Sequence, residues 1–200
     1  MTFLRRRLPF KLLLTAAAIA GVCAFLMCPR QGLTPSDLPG ASEVSSGDIV
    51  LLSSETCRGM LVKLLDIGET FAHVGLLDVG DDVWLIHADP AANAVVRERL
   101  GEYVSSNVTA GIMILGVDSQ AGETAVRFAR DAARAHIAFD NDFKYGEGDG
   151  IYCTELVLRS WHEAGVELLP DVKPGDSVFP SQLQKSLRCH VKLVRRSNNG

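Results

Sequence analysis

Twenty Lys and Arg against 24 Asp and Glu leave this 200-residue chain at a formal net charge of -4, with 47% of its residues apolar. The charges are spread along the chain, which excludes the basic stripe that a nucleic-acid partner requires. The size suits one hydrophobic core once an apolar leader is set aside.

That leader comes first. Arg5, Arg6, Arg7 and Lys11 precede an uncharged apolar run over residues 12–28. A basic cluster ahead of such a run reads as an export signal, and its length falls between a signal core and the roughly 20 residues that span a bilayer. No small-x-small site closes the run, which favours an uncleaved signal anchor over a cleaved signal peptide. The positive-inside rule keeps the N-terminus cytoplasmic and places the rest of the chain outside the cytoplasm. The expected organisation is a signal peptide or anchor over residues 1–28, a Pro-, Gly- and Ser-rich linker over 29–46, and one folded domain over 47–200. Membrane contact is expected only through the leader. Beyond it stand Cys57, Cys153 and Cys189. In an oxidising compartment that odd count allows one disulfide, Cys57 to Cys189, with Cys153 left as a free thiol. Unpaired Cys57 and Cys189 acting as small hydrophobes fit the same count.

Residues 47–54 (GDIVLLSS) predict a short buried strand and residues 57–65 a helical stretch. Residues 72–79 (AHVGLLDV) and 83–88 (VWLIHA) predict two strands joined by a tight turn at Gly80, Asp81 and Asp82. A further strand at 94–98, a short helix at 99–106 and a buried strand at 110–117 follow. A helix capped by Asp118 or Ser119 then shows Ala125, Phe128, Ala129, Ala132, Ala133, His136 and Ile137 on one face. After a loop rich in Asp, Asn and Gly comes CTELVLRSWHEAG. Its Leu156, Val157, Ser160, Trp161 and Ala164 form an apolar stripe that stops at Gly165. A helix opening at residues 180–183 and a strand at 190–194 close the chain. The elements make an α+β domain, an antiparallel sheet packed against helices.

Cys153 stands in the first turn of its helix, where free N–H groups and the helix dipole favour a thiolate and lower a cysteine's pKa. A thiol nucleophile also needs an imidazole, and a third polar group to hold that imidazole's other nitrogen. His73 and His87 interrupt otherwise apolar strands, and counting across the turn from Val79 and Val83 brings them within about two positions of facing each other. The same three residues would also make a zinc ligand set, although no local ligand spacing supports one. His136, His162 and His190 read as packing or solvated surface, and Trp84 and Trp161 as core.

GDIVLLSS, AHVGLLD, LIHADP, FDNDF and IYCTELV stand in the order and approximate spacing of the permuted papain-like amidases of the YaeF/YiiX group, within the wider NlpC superfamily of thiol hydrolases. The chain resembles that group over most of residues 47–194. The resemblance implies a circularly permuted papain-like fold in which the histidine strand precedes the cysteine helix. It makes Cys153 the nucleophile, His73 the base and His87 the third member, in place of a Glu common in the group. His87 carries no fixed charge and should stabilise an imidazolium less. Asp140 corresponds to a Tyr-Asp pair, here Phe139-Asp140, and suits bracing of its loop. Tyr152, Ser53 and Asp140 are the candidate substrate-side residues. The N–H of Cys153 is the first oxyanion donor, and the second comes from Ser53 or Tyr145. Glu155 suits a dipole-facing structural role. No cofactor and no metal are expected. The implied activity is cleavage of an amide in the cell envelope, a cell-wall peptide or related substrate, through a thioester. The alternatives are a lipid acyl hydrolase or acyltransferase with the same site, and a non-catalytic binding module with a degenerate one.

Overall fold

The computed structural model describes residues 32–54 and 71–197. The leader, the helical stretch expected at 57–65, and with it Cys57, lie outside the described residues. Among those described, no helix is long and apolar enough to cross a membrane.

Six strands, β1 Ile49–Ser54, β2 His73–Val79, β3 Val83–Asp89, β4 Ala94–Arg99, β5 Thr109–Val117 and β6 Cys189–Arg196, form one antiparallel sheet in the order β4-β3-β2-β1-β5-β6. Ile49, Val50, Leu51 and Leu52 of β1 are all completely buried, because both faces of the central strands are covered. One face meets α2 (Gly122–Arg134) and α3 (Cys153–Glu163), packing Ala125, Ala129, Leu156, Val157 and Trp161 on Ile49, Leu51, Val74, Leu76 and Ile86. The other meets α1 (Leu100–Ser106) and residues before β1, with Leu100, Tyr103, Val104, Leu33 and Val44 on Val50, Leu52, Leu77 and Leu85. A short helix α4 (Pro180–Gln184) precedes β6.

The segment read as a linker is in part domain. Leu33 is 5% and Val44 6% exposed, Leu33 N–H donates to the Thr109 carbonyl, and a capping box at Thr34 and Asp37 opens a 3-10 turn over Pro35–Asp37. Its Pro and Gly content marks turns rather than freedom. The expected cap of α2 also differs. Ala121 is the N-cap, and Ser119 Oγ instead accepts the Ala121 N–H one turn early. The helix must start beside Ser46, since a Cβ on Gly122 would strike the Ser46 carbonyl. It ends at Arg134. His136 has φ 48 and closes a Schellman motif, with Ile137 N–H on the Ala132 carbonyl and His136 N–H on that of Ala133, so neither lies on the helix. Trp84 is half-buried rather than core, and the Arg97 guanidinium lies 4.0 Å over its ring. Trp161 is core at 2% exposure. Among the described residues Cys189 is a free thiol, and its considered partner Cys57 lies outside them.

Candidate active site

The β2–β3 hairpin has Val79 opposite Val83 and Leu76 opposite Ile86, which sets His73 and His87 on a cross-strand diagonal. Their rings meet directly: His73 Nε2 and His87 Nδ1 are 2.8 Å apart, edge to face at 87°. The far nitrogen of His87, Nε2, lies 2.9 Å from Glu98 Oε1 on β4. His87 is 1% exposed, so each of its polar atoms needs a protein partner, and both have one. Tyr103 of α1 fixes the pair from above. Its ring stacks on His73 at 5.9 Å and 13°, and stands edge-on to His87 at 5.0 Å.

Cys153 enters from the other element. It is the first residue of α3, with Tyr152 as N-cap, and it is 8% exposed. The backbone N–H groups of Val74, Cys153 and Thr154 face its sulfur, and Thr154 Oγ1 lies 3.9 Å from it. The free Val74 N–H follows from the sheet. Leu77 N–H bonds to the carbonyl of Asp48 just ahead of β1, so by alternation the Val74 N–H points toward β3. The β2–β3 ladder stops at Leu76 and Ile86, leaving that donor for the sulfur. The structure therefore sets Cys153 against the strand one residue beyond His73. Among the described residues its side-chain hydrogen bond runs to Thr154 rather than to His73.

Burial dominates the charge states. It pushes the Cys153 thiol above its ordinary range, against the pull of Thr154 and the three N–H groups. The helix tip was expected to lower that thiol, and enclosure outweighs it. Burial, and then the neighbouring His87, hold His73 well below an ordinary histidine. Burial also keeps the Tyr103 hydroxyl protonated, with Cys153 the next influence.

The residues expected on the substrate side divide differently. Tyr152 is 1% exposed and its hydroxyl accepts the Val178 N–H, so it is a brace inside the core. Asp140 accepts the N–H groups of Asp142 and Lys144 and holds its loop, in which Phe143 takes φ 54. Ser53 is buried on β1, next to Leu52, the register partner of His73. Tyr145 is half-buried against the core, with Glu167, Arg159 and Glu155 as its electrostatic neighbours. Glu155, fully buried, accepts the Gly146 N–H and an Arg159 N–H, the structural role expected of it. His162 and His190 are exposed and hydrogen-bonded to Glu167 and Asp118.

Sequence reasoning missed Glu98 and Tyr103. Glu98 alternates with Arg97 and Arg99 on an edge strand, which reads as a solvated face. The available signal was the alternation itself, which places Glu98 on the same face as His87 once β4 is paired.

No protein-family model matches the chain, and no curated protein matches it significantly. Among solved structures, the crystal structure of metalloprotein YiiX from Escherichia coli O157:H7 is similar, with a TM-score of 0.61 at 15% identity, covering 74% of this chain and 96% of that one. The described domain therefore has a YiiX-like α+β fold.

Proposed function

We propose that the chain is an exported thiol hydrolase of the permuted papain-like, NlpC-type kind, cleaving an amide through a thioester on Cys153. The observation that carries this reading is a cysteine at a helix tip set against the Val74 N–H, one residue along the strand from a histidine already held by a second polar ring. His73 Nε2 is occupied by His87, so Nδ1 is the nitrogen available to the thiol. In the reaction it takes the sulfur's proton as Sγ bonds the carbonyl carbon. The Cys153 N–H faces the developing oxyanion. The imidazolium then protonates the leaving amine as the C–N bond breaks, and a water activated by His73 hydrolyses the thioester. Because burial favours neutral forms, the resting pair is thiol and imidazole, and proton transfer accompanies attack.

YiiX is described as a metalloprotein, but a metal does not fit the site of this chain, and the zinc reading of Cys153, His73 and His87 fails with it. His73 Nε2 and His87 Nδ1 are spent on each other and His87 Nε2 on Glu98. Among the described residues no three His, Cys, Asp or Glu side chains could hold an ion. The compartment follows from the basic, apolar leader, which would hold the domain outside the cytoplasm against the membrane.

Amide and ester libraries, with mass analysis of the Cys153 peptide, test the proposal. Turnover of amides with an acyl adduct on Cys153 supports it. Turnover of lipid esters alone would move the chain to the acyl-hydrolase class, and no turnover with no adduct would make it a binding module.

A further inference from the structure

We propose that Glu98 sets the tautomers of both histidines from the far end of the chain of hydrogen bonds, making Nδ1 of His73 the basic nitrogen. The catalytic consequence rests on the thiol-hydrolase reading, whereas the tautomer assignment stands on hydrogen-bond chemistry. An ionised carboxylate only accepts. Glu98 Oε1 at 2.9 Å therefore makes His87 Nε2 the donor. A neutral imidazole has one N–H, so His87 Nδ1 carries the lone pair. It lies 2.8 Å from His73 Nε2, which must then be the N–H. The remaining lone pair of His73 falls on Nδ1.

Without the carboxylate, the opposite arrangement is equally bonded: His87 Nδ1–H donates to His73 Nε2, and His73 Nδ1 carries a proton. A ring in that state cannot accept the thiol's proton. Glu98 thus biases a two-state element, and its charge also favours the imidazolium formed during attack. His73 is faced by His87 from β3 and Tyr103 from α1, with Cys153 of α3 beside Val74. Glu98 of β4 closes the far end, and both Glu98 and Asp89 influence Tyr103. Glu98 touches none of the reacting atoms and is a positioning residue. Its side chain is 33% exposed on an edge strand, a place that tolerates substitution.

Nitrogen-15 imidazole shifts of the full-length protein at neutral pH read the tautomers directly, without a substrate. The wild type should show Nε2–H on both His73 and His87. Glu98→Gln, whose amide can donate as well as accept, and Glu98→Ala should both populate Nδ1–H on His73. Their kcat should fall more than about tenfold, a change of roughly 1.4 kcal/mol in barrier, with KM little changed. The acid limb of kcat should move to lower pH as the imidazolium loses its counter-charge. Nδ1–H on His73 in the wild type would overturn the proposal, as would variants whose tautomers and pH limb match the wild type. Retained turnover in Cys153→Ala would instead sink the hydrolase reading and leave the tautomer result standing.

Discussion

Cys153 and His73 each stand in surroundings that oppose charge, and that sets how the two should behave before substrate arrives. Burial holds the thiol above its ordinary 9.0 and the imidazole below 6.5. Alkylation of Cys153 without substrate should therefore rise with pH through and beyond 9, as read by peptide mass analysis. A plateau already reached at acid pH would mean a preformed ion pair and contradict this. The two histidines were legible because a polar ring in an apolar strand needs a partner. Glu98 and Tyr103 were not, since their roles come from strand pairing and helix docking that no local pattern encodes. The bracing of Val178 by the Tyr152 hydroxyl was likewise not legible, since it joins residues 26 positions apart.

At the scale of elements, Asp78 ties α2 to the sheet. It is 3% exposed, and it accepts from Arg97 Nε at 2.7 Å and from Nε and Nη2 of Arg130. Burial alone would raise its pKa, but hydrogen bonds from Arg130 and Arg97 outweigh that and hold the carboxyl below its usual range. Such a group contributes stability above its unfolded value and loses it as pH falls through the folded one. Both guanidinium groups are partly exposed, so Asp78→Asn should cost about 1–3 kcal/mol rather than the full penalty of a buried unpaired charge. Urea midpoints measure it, and a loss under about 0.5 kcal/mol, the range of an ordinary surface change, would show that the clamp is idle. The cavity of about 760 Å³ beside this clamp, lined by Asp78, Arg97, Arg130 and His136 among others, lies at the opposite end of β2 from His73. Activity per folded molecule should be unchanged. The helix position of Arg130 alone gave no hint of a buried carboxylate on β2. The strands themselves were legible to within a residue or two because their apolar runs and turn residues agree. The α2 cap was not, because the close approach of Gly47 and Gly122 is a tertiary contact.

For the whole molecule, the enclosed site predicts how stability depends on pH. The unfolded chain protonates His73 near 6.5 while the folded chain does not, so stability should fall as pH drops below that value. Cys153 and Cys189 are both raised from 9.0, so the unfolded chain loses those protons first and stability should fall again above pH 9. Glu155, raised chiefly by burial from 4.5, runs the other way. Its contribution is full below 4.5 and lost as pH rises through its folded value, which softens the acid side. Thermal midpoints should peak between about pH 6.5 and 9, and His73→Gln should flatten the shoulder at 6.5. An unchanged shoulder in that variant would assign it elsewhere. The α+β class and the order of elements were readable in advance, since each strand and helix carries its own periodicity. The sheet order was not, because β1 pairs with both β2 and β5 across long stretches of chain.

Which sulfur does the chemistry decides the mechanism, and parallel turnover assays of Cys153→Ala and Cys57→Ala on one cleaved amide measure it most directly. Loss of turnover in Cys153→Ala with near wild-type rates in Cys57→Ala is the predicted result. Loss in Cys57→Ala, with turnover retained in a folded Cys153→Ala, would contradict it.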